Sequence, residues 1–140
     1  MKGTRKKWCT KLIFLACILI FLAGFCEGIM DLLQFHFHES VFSQRPKRLY
    51  WDPSVSWKNK YQNGDPAQGP RFFLSTTWLV SLTDAWHTFK LFRNVLIFTS
   101  LPIAGICAQS AIQLLLIAIV CRTLYGGGFW LSYYKILKKR

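Results

Sequence analysis

Residues Leu12 to Leu33 read LIFLACILIFLAGFCEGIMDLL, an apolar run long enough to cross a bilayer, yet Glu27 and Asp31 sit in its second half. A run of about 22 residues makes a helix of ~33 Å, which matches the hydrocarbon thickness. A carboxylate in hydrocarbon costs several kcal/mol unless it is paired, protonated or wetted, so an acid there marks a functional site by default. Continued as a helix, the run adds Gln34 and His38. At ~100° per residue, positions 27, 31, 34 and 38 fall within about 60° of one another on one face.

The rest of the chain predicts an all-α integral membrane protein in a single domain. A basic start over 1–11 leads into helix 1 over 12–38, read as a retained anchor and not a cleaved signal. Residues 39–71 form a polar loop with four of the five prolines, and the turn Asn63-Gly64-Asp65-Pro66 lies within it. Tyr50, Trp51, Trp57 and Tyr61 interleave with those turns and suit a headgroup layer or a lid over the acidic stripe. The spacing predicts an amphipathic helix over 72–92, with Thr77, Ser81, Asp84 and Thr88 along one face. A second long apolar helix is expected over 94–122, kinked near Pro102 and Gly105. Gly126-Gly127-Gly128 reads as a hinge into an interfacial basic tail over 126–140.

Two transmembrane helices plus one or two interfacial amphipathic helices follow, with three transmembrane helices as the alternative. The positive-inside rule favours two spans and cytoplasmic termini: ten Lys or Arg lie at the termini and eight between the spans. The net charge of +12 flanks apolar runs, so it points to anionic lipid headgroups and not to nucleic acid. The five cysteines, four of them inside apolar runs, are not a disulfide framework.

Under that topology Glu27, Asp31, His36, His38 and Glu39 emerge on the outer side, where Asp84 and His87 begin the return. Asp84 and His87 are three apart and share a helix surface. Carboxylates with imidazoles suit zinc, iron or manganese, so Glu27, Asp31, His36, His38, Asp84 and His87 are candidate ligands for a divalent metal. Two other readings stand beside it: a structural polar network, in which an acid pairs with Lys90 or Arg93, and a proton or ion pathway. Metal-assisted chemistry on a lipid is compatible with the cluster. No HExxH, CxxC, GxSxG, P-loop or GxGxxG motif is present, so enzymatic activity stays open.

A non-catalytic alternative is an accessory or assembly subunit of a membrane complex. Gly24 and Gly28 form a small-xxx-small pair that admits a close helix, and Gln109 with Gln113 offers hydrogen bonds to the first helix or to a partner. So short a chain buries little core, so a homo-oligomer or a membrane partner protein is expected.

The stretch Trp51 to Lys90, WDPSVSWKNKYQNGDPAQGPRFFLSTTWLVSLTDAWHTFK, resembles the central motif of small integral membrane proteins of Bacteroidota. The resemblance implies a bacterial inner-membrane location and brings no assigned activity with it.

Overall fold

A computed structural model describes residues 2–139, with side chains from residue 7 onward. Three long helices dominate: α1 (Lys2–Phe35), α4 (Ala85–Cys107) and α5 (Ala111–Trp130), the last continued by a π-helical stretch, Leu131–Ile136. Between α1 and α4 the chain forms a cap of short helical turns, including α2 (Arg48–Trp51) and α3 (Pro53–Ser56). No β-strand forms among the described residues; Ser40 with Lys138 and Tyr61 with Pro70 make isolated antiparallel bridges.

Helix α1 is the hub. Both α4 and α5 pack along it and scarcely touch each other. The α1 positions that disappear from solvent include Ala16, Ile20, Ala23, Cys26, Ile29, Met30, Leu32 and Leu33, many of them three or four apart. Small residues let the neighbours approach. A Cβ on Gly24 would lie 1.9 Å from the Tyr125 carbonyl oxygen, and one on Gly128 would lie 2.0 Å from the Phe21 carbonyl oxygen. Only glycine allows two helix backbones this close. The outer faces of α4 and α5 are lined by exposed Phe92, Phe98, Ile106, Leu115 and Ile119. All three long helices are long and apolar enough to cross a membrane.

Three expected elements come out differently. The amphipathic helix over 72–92 does not form as one piece: residues 73–79 are turns, Val80–Leu82 is a 3-10 turn, and α4 starts only at Ala85. Asp84 stops any earlier start, because its backbone is extended and its carboxylate accepts from the His87 amide as the N-cap. The helix over 94–122 is two helices, broken at Ala108–Ser110. There the Ser110 hydroxyl accepts from the Gln113 amide, and the Gln113 side-chain oxygen accepts from the Gln109 amide at 2.8 Å. The Ser110 hydroxyl thus satisfies a donor that a new helix would leave orphaned, and Gln113 holds the turn by binding back to Gln109. Finally, α5 runs through Gly126–Gly128 unbroken, because Gly128 is where α5 meets α1. Close packing offsets the weak helix propensity of glycine.

A hydrophobic cluster sits at the cap end of the helices. Ile29, Leu33, Phe42 and Ala85 are buried there, with Trp51, Trp86, Phe89 and Leu137 packed around them. Phe42 stacks on Trp51 at 5.0 Å between ring centres. Residues 137–139 are tied into this region: the Val41 amide donates to the Leu137 carbonyl at 3.0 Å and the Lys139 amide to the Glu39 carbonyl at 2.7 Å.

Candidate functional site: polar groups at the cap end of the helices

Two polar centres lie at this end. The deeper one joins the long helices. Arg93 of α4 forms an ion pair with Glu27 of α1, and the Tyr125 hydroxyl of α5 donates to the same Glu27 oxygen at 3.2 Å. The Arg93 guanidinium also donates to the Asn94 side chain at 3.1 and 3.2 Å. Glu27 lies eight residues before the end of α1, hence ~12 Å below it. Full pairing is the condition under which a carboxylate is tolerated at such a depth.

The second centre lies where the cap meets α4. The Asp84 carboxylate is 6% exposed, and its Oδ2 faces the His87 Nδ1 at 2.7 Å. Its other oxygen accepts from the His87 amide at 2.9 Å, so one side chain both caps α4 and fixes the imidazole. A carboxylate only accepts, so the neutral ring carries its proton on Nδ1 and leaves Nε2 as the basic nitrogen. His87 lines a cavity of about 310 Å³ with Gln34, Ser56, Trp57 and Lys60. Trp86 meets the His87 ring edge-on at 5.0 Å, and Lys90 lies over Trp86.

The cap that holds this pair is knitted by polar side chains. Asp52 is buried and caps α3, accepting from the Ser54 amide at 2.9 Å and from the Arg48 Nε at 2.7 Å. Burial alone would push its carboxyl up; the Ser54 hydroxyl and amide and the Arg48 guanidinium outweigh burial and hold it below the usual range. Asn59 donates to the Thr83 carbonyl and accepts from Arg71. Fully buried Ser75 donates to the Lys60 carbonyl at 2.8 Å. The Thr88 hydroxyl donates to the Ser81 and Asp84 carbonyls and shares a 2.9 Å hydrogen bond with the Tyr50 hydroxyl. Nothing in the sequence spacing points to Asn59 or Thr83. The readable signals were the two Asp-Pro pairs, 52–53 and 65–66, each an N-cap followed by proline at the first helical position.

The expected cluster therefore divides into separate partnerships. Glu27 goes to Arg93 and Tyr125, and Asp84 to His87. His36 lies 3.6 Å from Glu39, which also pairs with Lys138 at 2.9 Å. Asp31 is half-buried and makes no hydrogen bond or ion pair among the described residues. The His38 ring is exposed, and its carbonyl accepts from the Lys139 ammonium at 3.3 Å. Of the α1 stripe, only Gln34 lines the cavity of Asp84 and His87. Among the described residues no group of three or more His, Cys, Asp or Glu is placed to hold a metal ion. The packing residues also settle inside the chain. Gly24 and Gly28 meet α5 and its continuation, while Gln109 and Gln113 form the turn before α5 and do not reach α1.

The arrangement defines an all-helical protein with three membrane-length helices and a polar cap built over one end of them. No protein-family model, curated protein or solved structure matches this chain.

Proposed function

We propose that this is an integral membrane protein with α1, α4 and α5 as three spans, whose Asp84–His87 pair exchanges a proton with a molecule taken into the adjoining cavity. The carrying observation is the buried carboxylate bonded to Nδ1, which leaves a histidine with one free basic nitrogen beside a cavity. A carboxylate that orients a histidine in this way favours general acid–base work at Nε2. The mixed lining of Trp57, Gln34 and Lys60 suits an amphiphile with an acidic head, whose charge Lys60 offsets. This keeps proton handling and possible action on a lipid from the sequence reading, with Asp84 and His87 as its centre.

Three spans would put the termini on opposite sides instead of both in the cytoplasm. Nine Lys or Arg belong to the cap and the segment after Trp130 up to Lys139, against five before Leu12. The positive-inside rule then favours a cytoplasmic cap. The resemblance of Trp51–Lys90 supports a bacterial inner membrane as the setting.

The test uses the full chain, labelled with ¹⁵N-histidine, in phosphate-free micelles. The expected neutral His87 ring carries its proton on Nδ1 and shifts to the Nε2–H form in Asp84→Ser, which keeps a helix cap without the carboxylate. A long-chain fatty acid should perturb the His87 nitrogens more than an alkyl trimethylammonium of equal length. An unchanged tautomer in Asp84→Ser, with no response to either amphiphile, would overturn the reading. Stoichiometric zinc, iron or manganese lost on His87→Ala would move the same residues to the metal-site alternative.

A further inference from the structure

A second and larger recess is lined by Asn59 of the cap. Its volume is about 710 Å³, and three cations, Lys47, Arg48 and Arg71, line it together with Tyr50 and Trp51. No carboxylate belongs to its lining among the described residues. Each guanidinium is held by a single neighbour: the Arg48 Nε donates to Asp52, and Arg71 donates to Asn59. Such a tether fixes the direction of the group and leaves its remaining N–H donors for something else. The Lys47 ammonium has no partner among the described residues. Lys47 also has φ of 64°, a left-handed conformation that glycine adopts without penalty and lysine rarely takes.

The rim adds a second kind of chemistry. Leu49 and Leu82 line the same recess and are 47% and 61% exposed. Leu82 ends a segment that also turns Phe73 and Trp78 outward and leads directly into α4. The recess therefore combines fixed positive donors with an apolar lip that continues toward the membrane-length helix. A free inorganic anion has no use for that lip; a molecule with a charged head and acyl chains does.

We propose that this recess binds the phosphate of an anionic glycerophospholipid. Arg48, Arg71 and Lys47 take the phosphate oxygens, Tyr50 and Trp51 flank the head, and the acyl chains leave across Leu49 and Leu82. The site is independent of the Asp84–His87 pair and stands or falls without it.

Native mass spectrometry of the full chain in a phosphate-free maltoside micelle tests this. The probes are phosphatidylglycerol and phosphatidylcholine with identical acyl chains, with inorganic phosphate and glycerol 3-phosphate in parallel. The wild-type chain should retain phosphatidylglycerol preferentially. Lys47→Gly suits the left-handed backbone and so spares the fold; it should lower that preference roughly tenfold, as should Arg71→Gln, the size expected for one charge-assisted contact. Lys11→Gln, in the first third of α1 and far from the cap, should leave it unchanged. Equal retention of the two lipids by the wild type would overturn the proposal, as would a preference that survives both Lys47→Gly and Arg71→Gln. Retention of glycerol 3-phosphate as strong as that of phosphatidylglycerol would overturn the lipid assignment in favour of a soluble phosphate ester.

Discussion

Glu27 and Tyr125 meet through one oxygen: the carboxylate oxygen of Glu27 that pairs with Arg93 also accepts the Tyr125 hydroxyl at 3.2 Å. Because α4 and α5 scarcely touch, this oxygen on the hub helix is a point where both flanking helices are tied to the same atom.

Removing one partner should therefore cost more than removing the pair. Arg93→Leu leaves a carboxylate without its cation; since both side chains stay about a quarter exposed, we expect a loss of about 1–3 kcal/mol, less than for a fully buried pair. The double variant Glu27→Leu/Arg93→Leu should recover part of that loss, and Tyr125→Phe alone should cost about 1 kcal/mol. Denaturant titration in micelles reads all three. Additive losses would mean that the pair does not couple.

The α1–α5 crossing makes a steric prediction. Gly24→Ala and Gly128→Ala each place a methyl about 2 Å from a backbone carbonyl oxygen and should destabilise by about 1–3 kcal/mol. Gly105→Ala, in α4 with nothing within 4 Å, should be neutral or stabilising by up to about 1 kcal/mol. Thermal melting of the three variants side by side checks the contrast.

Much of this was legible in the sequence. The apolar run 12–33 announces α1, and its two acids announce a pairing problem that Arg93 solves for Glu27 but not for Asp31. Hydropathy carries 94–122 through as one helix because it does not see a helix break. Ser110-x-x-Gln113 has the residue types of a capping box, yet it lies inside an apolar stretch where every neighbour argues for continuity. By spacing Asp84 falls on a helix face, and the amphipathic pattern around it hides its role as a cap. That Glu27 is the acid that meets Arg93 and Tyr125 is not legible, because those contacts join residues 66 and 98 positions apart.

The break before α5 should depend on its cap. Ser110→Ala removes the acceptor for the Gln113 amide and should cost about 1 kcal/mol. Hydrogen exchange at the first turn of α5 should quicken, while the middle of α4 keeps its protection. Unchanged exchange at Gln113 would contradict a capping role for Ser110.

Acidity should loosen the cap in a stated direction. The bond to Lys138 holds Glu39 below its usual value of 4.5, and the same bond raises Lys138 above 10.5. A lowered carboxyl contributes stability above its unfolded value and loses it as pH falls through the folded one. A raised amine contributes below its unfolded value and loses it as pH rises through the folded one. Asp52, also held low, acts in the acid direction with Glu39. Amide exchange at Val41 and Lys139 should thus be slowest, after correction for intrinsic rates, between about pH 5 and 10. A flat corrected profile across pH 3 to 6 would argue against these carboxylates as clasps.

The pairing of Glu39 and Val41 with Leu137 and Lys139 has a consequence for biogenesis. Residues 137–139 are made only after α4 and α5, so the cap waits, half-fastened, until they have been made. Bulk added beside Lys139 would weigh on this buckle, whereas the same bulk at the start of α1 would leave it free to close.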